Sequence, residues 1–194
     1  IFSFSGGMFP YYLGIASVLE NYDLSDVIFS GTSGGCFPAL LLNSHRNSNE
    51  TFEKILKYIE GNDKQWVDVI KGFLEQELSE EDVSRNNGKL YVKLTKLNDY
   101  FIPEKVIVKK WTDKNDLAKC ISVACFVPYI TGTGLSTTYR GHNIVDGFFS
   151  NTSTIPVTKN SNMTFRLNKW RSFDISSVIP TSDTKRLRTM FEDG

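Results

Sequence analysis

The stretch VIFSGTSGGCFPALLL, residues 27–42, most constrains what this chain can become. An apolar, strand-like segment runs into Gly-Thr-Ser-Gly-Gly and then directly into an apolar helical segment. Strand and helix joined by so short a turn form the repeating unit of a parallel α/β fold. The chain opens in the same way. IFSFSGG reads as a buried strand ending in a glycine pair, and Pro10 suits the first turn of a helix predicted to run to Glu20. The expected fold class is therefore α/β.

Further along, ETFEKILKYIE and QWVDVIKGFLEQEL place apolar residues at helical spacing within a polar region, 44–87. KLYVKLTKL and YFIPEKVIVKKW alternate as two strands joined through a loop at Asn98 and Asp99. NDLAKCISVACF reads as a helix capped by Asn115 or Asp116 and closed by Pro128. TTYRGHNIVDGFF reads as one strand ending at Asp146 and Gly147, NMTFRLN as a last strand, and SDTKRLRTMFED as a terminal helix.

A chain of 194 residues is long enough for one domain with a substantial core. Its 22 basic and 22 acidic residues cancel, which argues against a nucleic-acid partner. Interfacial contact with lipid through apolar residues needs no net charge. Cys36, Cys120 and Cys125 lack metal-ligand spacing, and Cys36 and Cys125 sit in apolar runs, so reduced thiols in an intracellular setting are expected. No apolar run reaches the length of a transmembrane helix. The opening at Ile1, as if already inside a strand, suggests a domain taken from a longer chain.

Several residues carry potential chemistry. Ser33, between Gly31 and Gly35, stands in a Gly-x-Ser-x-Gly turn between strand and helix, the setting that forces a serine hydroxyl outward as a nucleophile. A glycine-rich turn with an incidental serine has the same pattern. A serine needs a base. Only two histidines exist, and His45 lies about 18 Å along the helix that Ser33 opens. His142 falls in the polar segment YRGHN. Asp146 is better placed: it ends an apolar strand and precedes Gly147, where an α/β sheet binds ligands. An ordinary Asp-Gly turn reads the same way. Gly6 and Gly7, between the first strand and helix, present backbone N–H groups suited to an oxyanion or merely turn the chain. They do not complete a dinucleotide fingerprint, because the third glycine is missing.

Taken in order, SFSGGMFPYYLGIASVL, GTSGG, VACFVPYITG and NIVDGFFSNTSTIPV resemble the patatin-like phospholipase domain. The resemblance covers most of the chain and is weakest over 44–110. It implies a three-layer α/β/α sandwich with a mostly parallel sheet, spanning 1–194, with 44–110 as a variable, lid-like insert. It further implies a serine–aspartate dyad, with Ser33 as nucleophile, Asp146 as its partner, and an oxyanion hole at Gly6, Gly7 and Met8. Two positions depart from the family: Met8 where a further glycine is usual, and Phe148 where Asp-Gly-Gly is usual. The implied activity is hydrolysis of a lipid acyl ester through an acyl-enzyme, with no cofactor or metal. Implied partners are the lipid and a membrane or lipid-droplet surface. Phe9, Tyr11, Tyr12, Phe37, Phe126 and Tyr129 are candidates to line an acyl groove. A transacylase on the same dyad and a weakened lipid-binding module are the competing readings, with a nucleotide-binding domain ranked below them.

Overall fold

Short strands such as FSFS and FSGT leave their backbone groups unpaired unless they join a sheet. The structure, a computed structural model, describes residues 1–5, 9–60, 62, 64–150, 163–166 and 181–194. Its strands are β1 (Phe2–Ser5), β2 (Phe29–Thr32), β3 (Leu90–Leu97), β4 (Pro103–Val108), β5 (Thr137–Tyr139), β6 (His142–Asp146) and β7 (Met163–Arg166). Its helices are α1 (Phe9–Leu19), α2 (Cys36–Asn43), α3 (Ser48–Glu60), α4 (Trp66–Glu77), α5 (Glu80–Asn86), α6 (Lys114–Ala124) and α7 (Thr184–Glu192).

The expected α/β class holds, with helices and sheet arranged as a three-layer α/β/α fold. β7, β1, β2 and β3 run parallel in that order. β4, β6 and β5 add antiparallel pairings at β3. Phe4, Phe29, Leu90 and Leu94 from this sheet are almost wholly buried. Ser3 and Ser30, polar positions on adjacent strands, are also buried and satisfy each other through a 2.7 Å hydrogen bond.

β3 organises the arrangement. β4 pairs along Val92–Leu97, whereas β2 pairs with Leu90–Lys93 and β6 with Leu94–Leu97. A strand has only two edges, so β2 and β6 share the one that β4 leaves. They meet end to end, with Thr32 opposite Lys93 and Asp146 opposite Leu94. The stretch 44–110 thus contains the strand on which the sheet is centred and is no appendage to it, although its helices α3, α4 and α5 match the expected polar helical region.

Two local expectations change, and a further helix is added. TTYRGHNIVD is a hairpin and not one strand: Tyr139 pairs with His142 across Arg140 and Gly141, which have φ of 46° and 76°. Two positive φ values in a two-residue loop suit the right-handed twist of a hairpin. The cap of α6 is Asp113, not Asn115 or Asp116. Its carboxylate accepts from the N–H groups of both those residues, at 2.9 Å each. α5 is a separate helix opened by a capping box, in which Ser79 and Asp82 exchange side-chain and backbone hydrogen bonds. Asp82 also takes a paired contact from Arg46, which anchors α5 to the end of α2.

Among the described residues no helix is long and apolar enough to cross a membrane. Replacing Asp113 by Ala is expected to cost about 1 kcal/mol, a fall in Tm of about 2–4 °C. Asn115→Ala should change stability by less than about 0.5 kcal/mol, since that exposed side chain caps nothing. Thermal denaturation of the two variants checks the assignment.

Candidate active site

Thr32, the last residue of β2, is extended, at φ −135° and ψ 130°. Ser33 then takes φ 57°, a left-handed conformation that a serine adopts only at a cost. A 3-10 turn over Ser33–Gly35 follows, and α2 begins at Cys36. The turn closes so tightly that any Cβ at Gly31 would collide with the backbone and sulfur of Cys36. Gly31 is therefore fixed by sterics. Gly35 has ordinary helical dihedrals and serves as the N-cap of α2. Ser33 retains 9% of its surface exposed, at the edge between core and solvent.

Asp146 reaches the same point from the other strand. Its N–H donates to Phe126 O at 2.7 Å, and its Oδ1 accepts from Phe148 N at 2.8 Å. A Cβ on the next residue, Gly147, would strike the backbone oxygen of Lys93 and press on the Thr32 methyl. Glycine is required there because β6 terminates against the ends of β2 and β3. Phe148 does not crowd the turn: its ring points outward and is 79% exposed.

The electrostatics follow from burial. Asp146 is 1% exposed, and desolvation pushes its pKa up to about 6. A hydrogen bond from the Ser33 hydroxyl, the Phe148 N–H and the nearby charge of Lys93 all pull in the opposite direction, and burial prevails. Oδ2 is buried with no well-aligned donor among the described residues. The carboxyl therefore has an oxygen to spare and a proton affinity close to neutral pH. Cys36 and Cys125 are buried free thiols near it, pushed far up in pKa by desolvation and so unreactive.

The structure brings the Ser33 hydroxyl and the Asp146 carboxyl together. It leaves both histidines outside: His45 and His142 are exposed, and His142 starts β6 about 13 Å of strand away from Asp146. Gly6, Gly7 and Met8 lie outside the described residues. Their flanks are described, and Ser5 pairs with Thr32, the residue before Ser33. The expected acyl-groove residues divide. Phe9 and Phe37, with ring centroids 5.4 Å apart, border a small apolar cleft with Trp66. Tyr12 and Phe126 belong to the core, Tyr11 packs partly buried against it, and Tyr129 points to solvent. Aromatic spacing alone does not separate a groove from a core.

One residue near the site went unread. Lys93 is buried, and its ammonium donates to Ser150 O at 3.2 Å. In KLYVKLTKL it looks like one of several surface lysines on an alternating strand. Its burial accompanies the central place of β3 in the sheet, which the local alternation does not show.

Fold and site together define an α/β protein that holds a strained serine against a buried carboxyl. No family model matches the chain. It is similar to the human omega-hydroxyceramide transacylase, 37% identical over 84 residues, which covers 43% of this chain and 15% of that protein. It is also similar to the mouse omega-hydroxyceramide transacylase, 30% identical over 164 residues, covering 76% of this chain and 27% of that protein. The matched part of this chain thus amounts to about a quarter or less of each relative's length.

The raised pKa has a thermodynamic consequence. A carboxyl whose pKa rises on folding stabilises the fold fully below its ordinary value of 3.8, and that contribution is lost as pH rises through about 6. Above pH 6 the buried charge is a net cost. Asp146→Asn is therefore expected to stabilise the protein at pH 7.5 by up to about 3 kcal/mol, an advantage that vanishes below pH 4. Denaturant unfolding of both proteins at the two pH values tests the sign.

Proposed function

We propose that this chain is a patatin-like acyl-transfer domain that moves a fatty acyl group from a lipid ester through a covalent intermediate on Ser33. The observation carrying this reading is the buried Asp146 carboxyl, poised near neutral pKa, beside a serine held in the left-handed conformation. Strain of that kind marks a strand-to-helix turn built to present a hydroxyl.

In the proposed reaction the Ser33 Oγ attacks the ester carbonyl, and its proton passes to the free Oδ2 of Asp146. The backbone around Gly6, Gly7 and Met8 receives the oxyanion in this scheme; donors so placed are worth about 10² to 10³ each in comparable sites. Collapse of the tetrahedral intermediate expels the lipid alcohol, which takes the proton back from Asp146. A second alcohol or water then attacks the Ser33 ester, with Asp146 again accepting the proton. Collapse of the second intermediate returns that proton to Ser33 Oγ, so a single carboxyl serves as base and then as acid in each half-reaction.

The acceptor separates the two readings. Similarity to transacylases supports a lipid hydroxyl as acceptor, and water gives the esterase or phospholipase alternative. The headgroup of the donor is left open by the site.

Labelling with a fluorophosphonate is expected at Ser33 and nowhere else, and Ser33→Ala should abolish both labelling and acyl transfer. Asp146→Asn should lower turnover by at least about 10². The rate should rise with pH through an apparent pKa of about 6, as Asp146 becomes ionised and able to accept a proton. Absence of labelling at Ser33 would leave only a lipid-binding module. With a labelled acyl donor and a long-chain lipid alcohol, acylated alcohol should exceed free fatty acid; the reverse ratio selects the hydrolase.

A further inference from the structure

Eight of the eleven large apolar side chains that stand exposed among the described residues fall on three loops. Tyr100, Phe101 and Ile102 form the tip of the β3–β4 hairpin, at 84%, 63% and 56% exposure. Tyr129, Ile130 and Leu135 lie on the connection after α6, and Phe148 and Phe149 follow Asp146 directly. All three loops are joined to the candidate site. Leu97, at the base of the hairpin tip, packs against the cluster of Val67, Phe126 and Val145. Phe126 holds the Asp146 N–H, and Phe148 donates to its carboxylate.

Two of these residues have an unusual backbone. Phe101 sits at φ 58° and Tyr129 at φ 61°. A bulky side chain in this region is a genuine outlier, and glycine would occupy it without cost. Both conformations are imposed by hydrogen bonding. The Asn98 carboxamide accepts from Tyr100 N at 3.0 Å and Ile102 N at 2.9 Å, while Phe101 N donates to Asn98 O at 2.9 Å. In the second loop Thr131 Oγ1 accepts from Val127 N and donates to Cys125 O, both at 2.7 Å, and Ile130 N closes on Val127 O at 3.1 Å. These are rigid mounts. They hold the Phe101 and Tyr129 rings largely in water in a backbone conformation that is costly for bulky residues.

We propose that these three loops are the lipid-docking surface of the domain, with Phe101 and Tyr129 as anchors inserted into the interfacial layer of a bilayer. The inference deepens the acyl-transfer reading and rests on it for the choice of partner. A convex hairpin tip is shaped to enter a soft interface, and mixed aromatic and aliphatic side chains suit headgroup depth. The exposed or half-buried charges on the hairpin, Lys96 and Lys105 against Asp99 and Glu104, cancel. Docking is therefore apolar and directed at neutral lipid, with little dependence on salt. It brings the Ser33–Asp146 crevice to the surface where a water-insoluble ester resides.

Co-sedimentation with phosphatidylcholine vesicles at low and high salt tests this. The unmodified protein should bind at both salt concentrations. Phe101→Gly and Tyr129→Gly should each weaken binding about tenfold, since each removes one buried aromatic ring. Their Tm should stay level or rise, because glycine relieves the left-handed strain. Tyr100→Ser with Ile102→Ser, at positions without that strain, should weaken binding likewise. Equal vesicle binding by the double glycine variant and the unmodified protein overturns the proposal. So does no binding to neutral vesicles, or binding only to anionic vesicles at low salt, which would assign the loops to a protein partner or to charge. Fluorophosphonate labelling in the same samples keeps the two readings apart: vesicle binding with an unlabelled Ser33 strikes the acyl chemistry alone, and a labelled Ser33 without vesicle binding strikes the docking surface alone.

Discussion

The arrangement depends on a shared edge. β2 and β6 pair with successive halves of one side of β3, so the end of one strand abuts the end of the other at Lys93 and Leu94. Backbone hydrogen bonds of a sheet are stiff and numerous, and they set this junction more firmly than side-chain packing alone would. Ser33 leaves the junction by one strand and Asp146 arrives at it by the other. At this junction neighbouring backbone leaves no space for a side chain at Gly31 or at Gly147. Neither does chemistry. Both let Ser33 and Asp146 approach each other there.

What the fold then stores at that junction is unfavourable taken by itself. A carboxyl nearly sealed from water resists ionisation, and a serine in the left-handed region resists its own backbone. The surrounding core tolerates both because it is large: Phe4, Tyr12, Leu13, Leu40, Leu90 and Leu94 are almost fully buried in one continuous cluster. Sites of this kind commonly draw on stability that the rest of the molecule supplies.

The parts of this design that are local were legible in the sequence. GTSGG announces its turn because the glycines, the serine and the flanking apolar runs are contiguous. The first two βα units, the β3–β4 hairpin and the terminal helix were readable for the same reason. Asp146 was readable only as an acid at the end of a strand, since its meeting with Ser33 depends on pairing through β3, which neither local stretch contains. The Arg140–Gly141 turn was missed because arginine gives no turn signal, and it reaches φ 46° only within the closed hairpin. Asp113 was passed over for Asn115 and Asp116 because all three are capping types, and only backbone geometry selects among them. Burial of Lys93 and Tyr12, and exposure of Tyr129, are tertiary outcomes that residue type does not encode.

Pairing also limits how such a site can change over time. Partners in an antiparallel ladder share a face, so Asp146 is tied to the side of the sheet on which Leu94 lies. Inserting or deleting one residue within His142–Asp146 would bring the neighbouring position to that face and turn the acid to the opposite one. Sequence drift that keeps Asp146 beside Ser33 therefore proceeds in even steps along this strand, while the Arg140–Gly141 loop is free to lengthen by any number. A lineage that loses parity here keeps its sheet and forfeits its acid in a single event.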